Sequence, residues 1–335
     1  MNRRTDPASS ARVAAPTPER SRRRSSTRRA VAKLVLAPVV CGLLVAGTLS
    51  AAWVAFGEPT PAAGAVWFQV TKVSNARYTA APEQPFFALV LGTGARSDDP
   101  NEMHDDPGLA DAIHVIGINP GLGAATILDI PRDTQGPSGA KINSYIVGNN
   151  DNFGLRAMAD AVSNITGLPI TYVIRANFPN FVNMVDEIGG IDVNVPYDIF
   201  DDNSAAQFPA GPRHMNGEEA LAISRARYTL PRGDLQRTEN QGLVILSALR
   251  TLQARHPSAG DTIRLVATAG RHVKLDGLGI RDLFALGQQA LSVNADNVKN
   301  VVLPVASGGG SNLVKTGDAA SLLADLADDG VLQSH

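Results

Sequence analysis

Helix-like and strand-like segments alternate from about residue 84 to residue 333, and that alternation predicts an α/β domain. No segment repeats at a fixed period, which argues against a solenoid or a propeller. An uncharged run of 24 residues at 34–57 predicts a single transmembrane helix ahead of the domain. At 335 residues the chain has room for one large domain or two ordinary ones, and the unbroken alternation favours one.

Residues 1–33 are rich in Ser, Arg and Pro without apolar periodicity and read as a disordered basic tail. They hold ten Lys or Arg against Asp6 and Glu19. Basic residues crowd only this flank of the apolar run, so the tail is expected in the cytoplasm and everything after residue 57 outside it. Cleavage at the small residues 50–52 is the alternative to a retained anchor. With the tail set aside, 20 basic and 30 acidic residues remain of 30 and 32, and an acidic domain is a poor nucleic-acid binder. One cysteine, Cys41, excludes an intrachain disulfide framework.

Residues 58–83 read as an extracytoplasmic tether and 84–333 as the folded domain. The run F-F-A-L-V-L-G at 86–92 has the pattern of a buried strand. Residues 93–110 are polar and turn-rich. Two strands, 111–119 and 124–130, flank the turn N-P-G-L-G, a hairpin signature. A turn centred near residue 121 sets partner numbers to sum to about 242, so Asp111 falls opposite residue 131, beside Arg132. Helices are expected at 141–148, 153–165, 178–188, 238–255, 261–270, 280–291 and 318–326. Asn216 caps another that runs through Ser224. Strands are expected at 170–175, 191–195 and 298–304, with a loop at 197–213.

The stretch 223–241, I-S-R-A-R-Y-T-L-P-R-G-D-L-Q-R-T-E-N-Q, holds four arginines and no lysine. Guanidinium forks match two oxygens at once and so suit a phosphate or pyrophosphate. Arg237 and Gln241 share a face if the segment after Asp234 is helical. Arg225 and Arg227 converge only where a helix is ending. The competing reading is a solvated basic turn.

Several ordered motifs carry a family resemblance over nearly the whole chain. A-D-A-I-H-V-I-G-I-N-P followed by L-D-I-P-R-D-T, then K-I-N-S-Y at 141–145, are among them. N-F-P-N-F…G-G-I-D-V-N-V-P at 177–196, and R-A-R followed by G-D-L-Q-R-T-E-N-Q, complete the set. The chain resembles the LytR-CpsA-Psr family of cell-wall glycopolymer ligases. That resemblance implies a three-layer α/β/α sandwich around a twisted, mixed β-sheet. It implies a phosphotransferase that moves a glycan phosphate from a polyprenyl-pyrophosphate carrier to peptidoglycan with Mg²⁺. It assigns pyrophosphate contacts to Arg132, Lys141, Arg225, Arg227, Arg237 and Gln241, with Arg132, Arg225 and Arg227 also catalytic. Asp111 falls on a metal position. Arginines and a metal neutralise the charge that spreads over a transferring phosphoryl group.

Two positions depart from the family pattern. Gly94 stands where a second acidic metal ligand is usual, leaving Asp98 or Asp99 as substitutes, or Asp111 with the pyrophosphate alone. Asn240 stands where a second arginine is usual. Gly94 also motivates an alternative function, a non-catalytic polyprenyl-phosphate binder in wall assembly with a degenerate metal site. Gly121-Leu122-Gly123 lies between strands and is not a dinucleotide loop. Ser138–Lys141, Ser292–Asn294 and Lys315–Gly317 imitate penicillin-binding motifs, but the last two sets are too close together for that fold.

Overall fold

The computed structural model describes residues 68–73, 84–94, 108–147, 151–255, 272–308 and 310–333. The basic tail, the apolar run 34–57, Asp98, Asp99 and the helix expected at 261–270 lie outside the described residues. Among the described residues no helix is long and apolar enough to cross a membrane.

The strands are β1 Phe68–Lys72, β2 Phe86–Thr93, β3 Ala110–Asn119, β4 Ala124–Asp129, β5 Ile170–Asn177, β6 Ile191–Val195 and β7 Ile199–Asp201. They continue as β8 Ala206–Phe208, β9 Gly211–Met215, β10 Val273–Asp276, β11 Val298–Val302, β12 Val305–Ser307 and β13 Leu313–Lys315. The α-helices are α1 Asp151–Thr166, α2 Phe178–Glu187, α3 Gly217–Arg225, α4 Asp234–Arg255, α5 Ile280–Ser292 and α6 Asp318–Asp329. Seven strands form one mixed sheet in the order β10-β1-β5-β2-β3-β4-β11.

Alternation along the central strands divides the core between the two faces of this sheet. Leu89, Leu91, Ile113, Val115 and Leu128 pack with Leu155, Met158 and Val162 of α1 and with Leu323 and Leu326 of α6. Phe86, Ala88, Ile118 and Tyr172 face the other way, against Leu286 and Ala290 of α5. Ile127 meets Leu246 of α4 on that same side. Helices therefore cover both faces, which is why β2 reads as a continuous apolar run instead of an alternating one. A separate cluster joins Val185, Ile191, Val193, Phe208, Met215 and Ile223, and it seats α2 and α3 on the small β6–β9 and β7–β8 pairs.

The β3–β4 hairpin keeps partner numbers that sum to 243, as in His114↔Asp129 and Asn119↔Ala124. The turn from Pro120 to Gly123 has an even number of residues, so no single residue is its centre, and the register sits one unit from the expected 242.

Four expectations are corrected. The segment expected as a tether contains β1, which lies between β5 and β10, so the folded unit begins before residue 84. Gln69 and Thr71 are buried there, and polar residues on a doubly covered strand hide it from a hydrophobicity reading. The expected loop 197–213 contains the β7–β8 hairpin and most of β9; three-residue strands are too short to establish a period. The expected helix 141–148 is a single 3₁₀ turn, Ile142–Ile146. Helix α4 starts at Asp234, one turn before the expected 238.

Helix α4 lies close against the sheet at Gly242. A Cβ there would lie 2.2 Å from Asn300 Oδ1 and 2.6 Å from Asp129 Oδ1. Both side chains are short, Asp129 is fully buried and Asn300 is tied to Glu239 O at 3.2 Å, so neither yields readily. Gly242→Leu is expected to cost about 1–3 kcal/mol, an overpacking penalty that outweighs the better helix propensity of leucine. A urea midpoint equal to or above the wild type's would contradict this close approach.

Candidate active site

The floor of the candidate site is the sheet face that carries α4. The β2–β3 register runs Gly92↔Ala112 and then Thr93↔Ala110, so Asp111 is an extra residue, a β-bulge. The bulge resets the alternation. Ala110 and Ile113 both enter the opposite core, while Asp111 and Ala112 both line the cleft. Strict alternation from the cleft-lining His114 would have turned Asp111 away from it.

Three helix ends form the walls. Helix α2 leaves β5 directly, its first turn closed by Asn177 Oδ1 accepting from Asn180 N at 2.9 Å. Helix α3 begins with a capping box: Glu219 N donates to Asn216 Oδ1 at 2.9 Å, and Asn216 N donates to Glu219 Oε2 at 3.1 Å. Gly217 packs on α2 so closely that a Cβ would lie 2.3 Å from Val182 O. Helix α3 stops at Arg225, Ala226 is extended, and Arg227 lies beyond the end. That break lets Arg225 and Arg227 line one cleft. Arg225 lies over the Phe178 ring, 5.6 Å from its centroid.

Asp201, fully buried, fixes the chain beyond α3. Its Oδ2 accepts from Arg227 N at 2.7 Å and Tyr228 N at 2.8 Å. Burial works to raise its pKa, but the backbone donors of Arg227, Tyr228 and Asn203 hold it below the usual carboxylate value.

Charge converges on Asp234, the first residue of α4. Its carboxylate lies 2.9 Å from Arg237 Nη2, 3.5 Å from Arg227 Nη1 and 3.8 Å from Arg132 Nε. Arg132 Nη1 also donates to Asp111 Oδ1 at 2.5 Å. Burial pulls the pKa of Arg237 below its ordinary value, and the charge of Asp234 opposes the pull. The guanidinium stays protonated at neutral pH. Gln241, one turn beyond Arg237, donates to Ser224 O at 3.0 Å and to Asp111 O at 3.4 Å.

Asp111, Arg132, Arg225, Arg227, Arg237 and Gln241 thus line one cleft of about 1440 Å³. Its remaining walls are largely apolar, with Val90, Ile174, Phe181, Val182, Leu221 and Ile245 among them. Lys141 is not brought into that lining. A backbone bridge between Gln135 and Lys141 folds its loop back, and Nζ pairs with Asp133 at 2.8 Å. Arg232 pairs with Glu239 on the exposed side of α4. Asn240 is buried with its Oδ1 accepting from Tyr197 OH at 2.7 Å, so its side chain does not belong to the cleft lining. Asp234 and Asp201 escape a reading of sequence. An aspartate opening a helix is ordinary, and Asp201 lies in the segment expected as a loop.

No group of three or more His, Cys, Asp or Glu converges as a metal cluster among the described residues. Asp111 presents a carboxylate to the cleft, with Oδ2 2.7 Å from where a Cβ of residue 94 would lie. Gly94 therefore marks the position from which a second carboxylate would join Asp111. One carboxylate fits a hard cation that takes its other oxygens from water and a bound diphosphate.

The family model described as the LytR_cpsA_psr family matches residues 66–325. The chain is 29% identical over 214 residues to the polyisoprenyl-teichoic acid–peptidoglycan teichoic acid transferase TagU of Bacillus subtilis, covering 62% of this chain and 65% of that one. It is 28% identical over 221 residues to TagV of the same organism, covering 61% and 54%. The chain thus matches between about half and two thirds of the length of these relatives. The crystal structure of B. subtilis TagV shares the fold, with a TM-score of 0.58 at 23% identity over 73% of this chain and 96% of that one.

Two predictions concern the aspartates. Asp234→Asn leaves three guanidinium groups without their shared counter-charge, and millimolar inorganic pyrophosphate is expected to raise the melting temperature more in the variant than in the wild type. Equal shifts would remove Asp234 from this role. Asp201→Ala removes the acceptor of three backbone donors, on Arg227, Tyr228 and Asn203, and is expected to cost about 2 kcal/mol at pH 7 in urea unfolding. A depressed pKa contributes stability above the unfolded value that is lost as pH falls through the folded one, so this difference is expected to shrink towards pH 3.

Proposed function

This chain belongs to the LytR-CpsA-Psr family, and from that premise we propose that it is a membrane-anchored phosphotransferase. It moves a glycopolymer, as its glycan phosphate, from a polyprenyl-diphosphate carrier to a hydroxyl of peptidoglycan. One observation carries the reading: the cleft is cationic at one part and apolar elsewhere. A ligand with a diphosphate head and a hydrocarbon tail has that same division. The names of the curated relatives, polyisoprenyl-teichoic acid–peptidoglycan transferases, support the donor and acceptor classes. The apolar run at 34–57 with its basic flank supports an anchor whose domain lies outside the cytoplasm.

In this reading Arg132, Arg225 and Arg227 bind the diphosphate and neutralise the charge that spreads as the phosphorus–oxygen bond breaks. Arg237, fixed by Asp234, and Gln241 hold the same head group from α4. Phe178 restricts Arg225 to the cleft wall. Asp111 would hold Mg²⁺ together with diphosphate oxygens, and the bound cation would supply further charge neutralisation. Asp98 and Asp99 stand as further candidate ligands from the adjoining segment. Gly94 favours a second reading, a lipid-phosphate binder without turnover, because the position beside Asp111 contributes no carboxylate.

The test is Mg²⁺-dependent transfer of a lipid-linked glycan to peptidoglycan by the full chain in detergent. Arg225→Ala and Arg227→Ala are each expected to lower kcat/KM by about 10²- to 10³-fold. Full activity in either variant would remove that arginine from the mechanism. Gly94→Asp is expected to lower the Mg²⁺ concentration that gives half the maximal rate, since φ at Gly94 is not in the left-handed region and a side chain there reaches Asp111. Tight lipid binding with no turnover at any Mg²⁺ concentration would favour the second reading.

A further inference from the structure

The cleft floor holds a polar residue, His114, that the function above leaves unused. Across the sheet, the register aligns a row of small residues, Ala176–Gly92–Ala112. The next row is Ile174–Val90–His114–Asp129. The small row lets a ligand approach the backbone closely beside Asp111. His114 lies two residues beyond Ala112, about 7 Å along the strand.

His114 is 1% exposed, yet it lines the cleft. Its Nδ1 lies 2.6 Å from Oδ1 of the fully buried Asp129, its cross-strand partner. Its Nε2 is buried with no hydrogen-bond partner among the described residues. A histidine serving the core alone would bury both nitrogens satisfied, because an orphaned buried polar atom costs stability. Asp129 is itself wedged beneath Gly242 and beside Asn300, so the pair has a fixed orientation.

Resting on the transfer reaction proposed above, we infer that His114 Nε2 accepts the proton of the attacking hydroxyl and that Asp129 is its positioning residue. The acceptor oxygen bonds to the glycan-side phosphorus of the diphosphate. The bond from that phosphorus to the bridging oxygen breaks, and the polyprenyl phosphate leaves with the electron pair. The hydroxyl proton passes to Nε2, and the resulting imidazolium donates from Nδ1 to the Asp129 carboxylate. Burial pushes the Asp129 carboxyl up to about 6, against the lowering effect of its hydrogen bond to His114 and with a contribution from the charge of Glu239. The Asp129 carboxylate accepts a hydrogen bond from Nδ1–H, the tautomer that leaves the lone pair on Nε2.

The experiment uses the full chain in detergent with farnesyl-diphosphate-linked N-acetylglucosamine as donor and soluble peptidoglycan fragments as acceptor, following release of farnesyl phosphate. His114→Ala is expected to lower kcat by about 10²- to 10⁴-fold, with the KM for donor within a few-fold of wild type. Added imidazole is expected to restore part of kcat, which a structural role would not do. His114→Gln keeps the bulk and a bond to Asp129 without a base, and it is expected to be equally slow if the alanine variant does not fold. A kcat within about threefold of wild type in a folded variant would overturn the proposal. So would loss of donor binding with kcat unchanged, which would make His114 a ligand contact only. A wild type that binds donor but releases no farnesyl phosphate would overturn the transfer function, and the proton-acceptor role with it. An active wild type with an unaffected His114→Ala variant would overturn the proton-acceptor role alone.

Discussion

Like charges do not gather without a partner, and in this protein that partner is Asp234. It draws Arg132 from the segment after β4, Arg227 from the break after α3 and Arg237 from α4 to one carboxylate. Without it, the three guanidinium groups would repel one another across a partly desolvated cleft, where Coulomb interactions are weakly screened. Much of the surrounding construction serves this meeting. Asp201 pins the backbone of Arg227, the capping box fixes where α3 begins, and Gly217 lets α3 lie close enough to α2 for its end to reach the cleft. An anionic ligand then meets cations that are already assembled, so the entropy of gathering them is spent during folding.

The sheet contributes through its irregularity. The bulge at Asp111 turns that carboxylate onto the cleft face, where it pairs with Arg132. The rows of small residues beside it keep the floor low, while α2, α3 and α4 raise apolar walls around it. A cleft of this kind divides an amphipathic ligand by solvation. In the proposed reading, the phosphates would exchange water for guanidinium donors, and the hydrocarbon would leave water for Phe181, Val182, Leu221 and Ile245. His114 lies among the residues of this lining, and its Nδ1 is held by the buried Asp129 behind it.

The sequence alone determined the α/β class, most of the long elements and the residue types of the site. Those signals are local. A continuous apolar run reads as a central strand, a capping box as a helix start, and an odd spacing of arginines as useful only at a helix end. The hairpin turn even located Asp111 beside Arg132 to within one residue. Tertiary structure decided what depends on residues distant in the chain. Strand β1 is stabilised by neighbours more than a hundred residues away, so its mixed composition was no guide. Lys141 was expected at the pyrophosphate, but the loop that carries it folds towards Asp133. The Asp111 bulge, the collection of arginines by Asp234 and the buried, unsatisfied Nε2 of His114 arise from register and packing. Side-chain chemistry is written in the residues, but the direction each side chain faces is set by backbone paired with backbone across the sheet.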